Sequence, residues 1–410
     1  MNLRLTFRFP PTLSANLKTN FIAFLWDIGW WGVYIGSTLA FLTIYASRSG
    51  ATPEQIGLLT AAPATLSLVL SLPVGRYLRR VSASQATLLS ATVGRMLFLV
   101  YAILPWILPQ EMQVGGLLAL AILLALPNTV INISFSQFFI ESVPSDWRGT
   151  IVGLRMAIMS IISFIVTLVC GQILSHMSFP AGYQLVFFIG FIGGIMTVFQ
   201  IARVKPVPNP AIHSPSPFTN YQKTWLPVLD SPARTYLKVI SLLFVFNLTN
   251  NMFAPLVPDL LVHKLKLTDV TISIGTAVSN FLVFTISLLI ARITHRIGNR
   301  STTAIGIILL TFHAISLALA KDALLFMAAA VIGGIASGLL SAAQYNYHLD
   351  NLPSSERSTW LSWNLLLGNT AVLLGSLAGP ALARFAGTEV TLFIFAASRL
   401  LIGMVIFVKG

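Results

Sequence analysis

The chain has 410 residues, 56% of them hydrophobic and only 9% charged, with a mean hydropathy of +0.83. A soluble protein has about a quarter of its residues charged, so this composition leaves too little polar surface to cover an apolar interior in water. The formal charge of +13 is spread over short turns between apolar runs, with no basic groove interleaved with aromatics, which argues against nucleic acid as a partner.

Apolar runs predict twelve membrane-spanning helices over 20–45, 55–74, 84–108, 114–140, 150–174, 181–202, 237–260, 271–291, 302–320, 322–347, 358–379 and 386–408. Each is long enough to cross a hydrocarbon core of roughly 30 Å. The first carries no small-residue cleavage site and reads as a retained helix. Twelve crossings put both termini on one side. The connections on that side hold Arg4, Arg8, Lys18, Arg76, Arg79, Arg80, Arg148, Arg203, Lys205, Lys223, Arg234, Lys238, Arg292, Arg296, Arg300, Arg357 and Lys409. The opposite set holds only Arg48, Lys264, Lys266, Lys321 and Arg384. Since cytoplasmic loops carry the Lys and Arg excess, both termini are expected in the cytoplasm.

Between the sixth and seventh helices lies "RVKPVPNPAIHSPSPFTNYQKTWLPVLDSP", from Arg203, rich in Pro and Ser and without lasting apolar periodicity. It reads as a linker over 203–235, dividing an N-terminal six-helix bundle (1–202) from a C-terminal one (236–410), with Ser231-Pro232 opening the seventh helix. Two similarities suggest duplication. "GRYLRRVSAS" from Gly75 matches the position of "ARITHRIGNR" from Ala291, and "ESVPSDWRGT" from Glu141 that of "DNLPSSERST" from Asp350.

In this layout the chain resembles the major facilitator superfamily. That family's signature between helices two and three runs roughly Gly-x-x-x-Asp-Arg-x-Gly-Arg-Arg; Gly75 and Arg80 fit it, while Arg79 stands at the aspartate position and Ser82 at the second glycine. In the second half Arg296 and Gly298 fit and His295 replaces the aspartate. The resemblance implies an all-α polytopic membrane protein of two pseudo-symmetric six-helix bundles around a site near the midplane. It also implies inter-helix charge contacts that shut the cytoplasmic side, for which Arg76, Arg79 and Arg80 with Glu141, and Arg296 with Asp350, are the candidates. Read without it, those arginines are a topological anchor at anionic headgroups. The family's helix-five antiporter signature is absent from "GLRMAIMSIISFIVTLVCGQIL", and its helix-four arginine is missing, leaving Asn128 and Asn132 as the nearest polar residues.

Asp27, in "FLWDIGWW", is the deepest acid. An unpaired charge at such depth costs about 2.5 kcal/mol or more, so it is either paired or a group that gains and loses a proton in a wet cavity. Arg155 lies at comparable depth in helix five, which is near helix one in the resembled fold; it either pairs with Asp27 or attracts an anionic solute. Arg95 and Arg399, in helices peripheral by resemblance, read as structural. In helix seven Asn247 and Asn251 share a face and serve either as helix-to-helix glue or as hydrogen bonds to substrate. Trp30 and Tyr34 extend an aromatic stripe from Trp26 along helix one and are candidates to cover an organic solute. Gly75, Gly153, Gly171 and the run from Gly375 to Pro380 read as sites where helix backbones approach closely.

No HExxH, CxxC pair, GxGxxG or P-loop occurs, and the lone Cys170 reads as packing. The expectation is therefore no enzyme and no cofactor, the proton being the candidate coupling ion. The reading is a secondary transporter of a small organic, amphipathic solute, acting as a monomer in a plasma or inner membrane with lipid around it, and leaning toward export. An uncoupled facilitator, or a lipid-translocating or sensor protein on the same fold, are the alternatives.

Overall fold

The computed structural model describes residues 14–78, 80–205, 231–353 and 357–409. Among them the chain is helical and crosses twelve times: α1 (Ala15–Arg48), α2 (Pro53–Tyr77), α3 (Ala83–Ile107), α4 (Gln110–Ser142), α5 (Ser145–His176), α6 (Ala181–Arg203), α7 (231–264), α8 (269–297), α9 (299–318), α10 (Ala323–Asp350), α11 (Arg357–Ala386) and α12 (Thr388–Lys409). All but α2 lie in segments long and apolar enough to cross a membrane. The helices overrun the apolar runs by up to about two turns, because a helix continues through polar residues once it has left the hydrocarbon.

Local chemistry sets the boundaries. Thr52 and Gln55 form a reciprocal capping box at the start of α2: Gln55 Oε1 accepts from Thr52 N at 2.9 Å, and Thr52 Oγ1 accepts from Gln55 N at 3.3 Å. Ser82 and Asp322 cap α3 and α10 through Gln85 N and Leu325 N. The α8–α9 turn is made by one residue, Gly298, at φ 82° and ψ 158°, a conformation that disfavours any side chain. The motif glycine of the second half thus reverses the chain. Two arginines in the first turns of helices meet the C-termini of others: Arg148 of α5 donates to the Ile140 carbonyl of α4 and to Val143 just past its end, and Arg300 of α9 to the Ile406 and Phe407 carbonyls of α12.

The packing repeats between halves. In the first, α1 packs on α5 and α6, α3 on α4 and α6, and α2 on α4. In the second, α7 packs on α11 and α12, α9 on α10 and α12, and α8 on α10. Shifting every helix number by six maps one set on the other. The bundles meet where α2 faces α11 and α5 faces α8, and these two pairs also exchange under the same operation. This is the two-bundle layout of a duplicated transporter.

The ends of the molecule are named here by the chain: the terminal face carries the start of α1 and the end of α12, and the far face carries the α1–α2 and α7–α8 connections. Glycine contacts seal the far half. A Cβ at Gly57 of α2 would collide with the Ser376 carbonyl of α11, and one at Gly171 of α5 with Ser273 of α8. Gly375 and Gly379 of α11 sit equally close to α7. Gly75 and Gly153 are corrections to the sequence reading, since neither has anything within 4 Å of its would-be Cβ.

Candidate functional site

Asp27 and Arg155 are in contact. Arg155 Nη1 donates to Asp27 Oδ2 at 3.0 Å and to the Phe24 carbonyl at 2.7 Å, and the guanidinium carbon stands 5.2 Å from the Phe135 ring centre. Asp27 is 5% exposed. The pair forms because α1 and α5 approach at three glycines: Gly29 faces Ile162, Gly32 faces the Met159 carbonyl, and Gly36 lies against Ser163. Around Gly36 the helix widens into a π turn, Ile35–Leu39, and Thr167 Oγ1 of α5 donates to the Gly36 carbonyl at 3.0 Å. Gly29, Gly32 and Gly36 recur at helical spacing in the sequence, a signal of this contact that the sequence reading passed over.

Of the aromatic stripe, Trp26 is exposed, Trp30 half-buried and Tyr34 buried. Tyr34 stacks on Phe98 of α3 with ring centres 4.1 Å apart, so it packs inside the first bundle rather than lining a chamber. Arg95 lies 4.3 Å from the Trp31 ring centre, within electrostatic reach of Asp27. Arg399 is fully buried; it donates to the Leu310 carbonyl at 3.3 Å and to Asn250 Oδ1 at 3.2 Å and lies over Phe253. Arg95 thus ties α3 to α1, and Arg399 ties α12 to α7 and α9.

Asn251 Nδ2 donates to the Asn247 carbonyl one turn back, at 2.7 Å. Asn247 instead lines a cavity of about 200 Å³ between α7, α10 and α11. On α4, Asn128 is half-buried and Asn132 exposed.

Among the described residues the terminal-face candidates form no ion pair with one another. Arg79 and the side chain of Arg76 lie outside the described residues, and Arg80 is exposed. Glu141 accepts from Gln137 Nε2 of its own helix at 2.9 Å, and Asp350 accepts from Asn299 Nδ2 at 2.7 Å, while Arg296 is exposed. No ion pair among the described residues includes Glu141, Arg296 or Asp350. In this structure Asn299, just past the Gly298 turn, occupies the Asp350 carboxylate.

The ionic contact between bundles is on the far face, where the sequence reading placed only a few topological charges. Arg48, at the end of α1, pairs with Asp269 at the start of α8 at 2.7 Å and donates to the Leu267 carbonyl at 3.0 Å. Tyr183 of α6 donates to Asp269 Oδ1 at 2.8 Å. Beside it Ser47 Oγ lies 3.4 Å from His263 Nδ1, and deeper Thr60 Oγ1 donates to Ser376 Oγ at 2.8 Å. Deepest are Asn280 Nδ2 to Ser163 Oγ at 3.4 Å and Phe164 against Phe281. Between described residues, the hydrogen bonds, ion pairs and ring contacts linking the two bundles stop there, near mid-height. The molecule is latched at the far face, and among the described residues no such contact lies below mid-height. Among the described residues no group of three or more His, Cys, Asp or Glu gathers.

Two duplicated bundles joined at one face define the class: a polytopic membrane transporter of the alternating-access type. The family model for the Major Facilitator Superfamily matches residues 20–248 and 239–409, and the chain belongs to that family. Solved structures show the same fold. The chain is similar to the nucleoside transporter NupG (13% identity, 97% of this chain and 100% of that one, TM-score 0.65). It is also similar to a bacterial homologue of the iron transporter ferroportin in an inward-facing state (13% identity, 97% and 99%, TM-score 0.67). A third, a POT family transporter in complex with 5-aminolevulinic acid, has 12% identity over 96% of this chain and 95% of that one, with a TM-score of 0.71. No curated protein sequence matches the chain.

Proposed function

We propose that the protein moves a small organic solute across a cell membrane, plasma or inner, by rocking its two bundles about a midplane site. Its termini lie in the cytoplasm, so the latched far face is the outer one and the structure is the inward-open state. The observation that carries this reading is the one-sidedness of the inter-bundle contacts: an Arg48–Asp269 ion pair joined by Tyr183 at one face and, among the described residues, no hydrogen bond, ion pair or ring contact between the bundles at the other. A machine that alternates needs one set of contacts made while the other is broken.

In this scheme Asp27 and Arg155 clamp α1 to α5 in both states. Nearly buried, with the Arg155 and Asp27 side chains 11% and 8% exposed, and set beside Phe24 and Phe135, the pair acts as a clamp rather than as proton carrier or anion receptor. Proton coupling, if the transport has any, is then carried elsewhere, and an uncoupled facilitator fits the same geometry. The unit of function is one chain.

The test is a reversible lock. Ser47 and His263 face each other across the bundles, so S47C/H263C in a Cys170→Ala background should cross-link under mild oxidation. Oxidised protein in vesicles should lose solute flux and regain it on reduction. Flux that survives complete cross-linking would remove far-face opening from the mechanism.

A further inference from the structure

We infer that the lipid-facing groove between α2, α3 and α4 is a binding site for one anionic phospholipid of the terminal-face leaflet, its acyl chain lying in the groove and its phosphate meeting Arg80. The site lies within the first bundle, in the half of the molecule away from the far-face latch.

The groove exists because two helices that follow one another in the chain stand apart. α2 packs on α4 and α11, and α3 on α4 and α6. Five residues lie between the end of α2 and the start of α3, whereas in the second half Gly298 alone turns α8 into α9. What is left between α2 and α3 is a groove of about 370 Å³. Its walls are Val74 and Tyr77 of α2 and Leu89 and Val93 of α3, and its floor is Leu126 and Val130 of α4. Tyr77, Leu89, Val93 and Leu126 are exposed, so the groove opens sideways to lipid. Along α3 it runs from Ala86 to Val93, about 10 Å at 1.5 Å per residue, a channel for one stretch of acyl chain. Lipid tails are as apolar as this lining, so the groove selects a chain by shape and contributes little preference among lipids. That preference is set at the mouth.

The mouth lies at the terminal face, where α2 leaves the groove at Tyr77 and α3 enters it at Ala86, in its first turn. Arg80 stands three residues beyond Tyr77, its backbone N–H bonded to the Tyr77 carbonyl at 3.0 Å. It is exposed and joins no ion pair among the described residues. Ser82 caps α3 through Gln85 N, which leaves the Ala83 and Ser84 amides and the positive end of the helix dipole at the same mouth. Tyr77, the wall residue nearest to Arg80 in the chain, adds a phenol of the kind that sits between tails and headgroups. No acid lines the groove. A free guanidinium beside a helix start, with an acyl channel directly below, complements a headgroup that carries net negative charge better than one neutralised by its own ammonium.

The test uses the full chain in vesicles doped with one of two photoactivatable lipids that share the same diazirine-bearing acyl chain, phosphatidylglycerol (anionic) or phosphatidylcholine (zwitterionic), with adducts mapped by mass spectrometry. Phosphatidylglycerol should label the groove segments of α2, α3 and α4 roughly fivefold more than phosphatidylcholine, as expected for one basic residue near an anionic headgroup, while both label the lipid-facing side of α12 alike. Excess unlabelled phosphatidylglycerol should suppress the groove adducts, and glycerol 3-phosphate, the headgroup chemistry without a tail, should not. Arg80→Gln should bring the two lipids within about twofold of each other. Val93→Trp, which places a large ring in the channel at an exposed position, should remove groove adducts of both. Both positions are exposed, so both variants should elute like wild type. Equal groove labelling by the two lipids in wild type, an undiminished preference in Arg80→Gln, or displacement by glycerol 3-phosphate overturns the assignment. Solute flux is not read, so the outcome is independent of the Ser47–His263 lock.

Discussion

At the scale of single residues, the Asp27–Arg155 pair is the most consequential feature of the first bundle. Removing one partner of a buried pair costs about 3–5 kcal/mol, because the survivor keeps a desolvated charge with no compensation. Asp27→Asn should therefore lower the unfolding temperature of the purified protein markedly, with Asp27→Asn/Arg155→Gln recovering much of the loss. The alternative, a proton-carrying carboxyl, predicts the opposite pattern: near-normal stability and flux that no longer follows an imposed pH gradient. Thermal unfolding and gradient-driven flux on the same samples separate the two. The sequence makes Asp27 conspicuous, since an acid inside an apolar run has to be explained. It does not say whether the carboxylate meets water, because that depends on how near α5 comes, and nearness is set by Gly29, Gly32 and Gly36 acting together. Tyr34 illustrates the same limit. Its stacking on Phe98 depends on the rotation of α1 against α3, which periodicity along one helix does not fix.

At the scale of helices, length and direction were readable and contact faces were not. An apolar run of about 20 residues has one stable outcome in lipid, a helix with its backbone bonds satisfied internally, so all twelve spans follow from composition. Which face of α2 meets α11 is decided instead by one small residue, Gly57, whose helix lies against the Ser376 carbonyl with no room for a side chain. Gly57→Val should leave each bundle folded, since within-bundle packing of α2 is against α4, yet hold the two helices apart at the far face. The expected result is a normal elution profile with a large increase in far-side accessibility of a cysteine placed at Ser376, which is 1% exposed in the latched state. Unchanged labelling of Gly57→Val would show that the α2–α11 contact is not what closes this face. The widened turns at Ile35–Leu39 in α1 and Leu260–Lys264 in α7 stand in corresponding helices of the two halves. No local propensity announces either of them.

At the scale of the whole molecule, the sequence divides the basic residues by side but leaves their roles undecided. The dense arginine cluster around Arg76 reads by itself as a membrane anchor and through the family resemblance as a gate, whereas the ionic contact between bundles joins two residues 221 positions apart at connections that look like ordinary loop ends. Arg48 and Asp269 are partly desolvated, with side chains 25% and 15% exposed, and Tyr183 adds a hydrogen bond to the same carboxylate. Such a contact contributes on the order of 1–2 kcal/mol to the state that contains it, and this shifts a two-state ratio by roughly five- to thirtyfold. The ion pair itself lies between the bundles and so acts on the balance between states, while Arg48 Nε also donates to Tyr183 Oη of its own bundle at 3.2 Å. Arg48→Ala should therefore raise the labelling rate of a Ser376→Cys reporter, in a Cys170→Ala background, by about that factor with a membrane-impermeant maleimide added from the far side. Tyr183→Phe should raise it less, and the exchange Arg48→Asp/Asp269→Arg should return it toward the starting rate. Equal labelling in Arg48→Ala and wild type would mean that the apolar seal alone holds the far face shut.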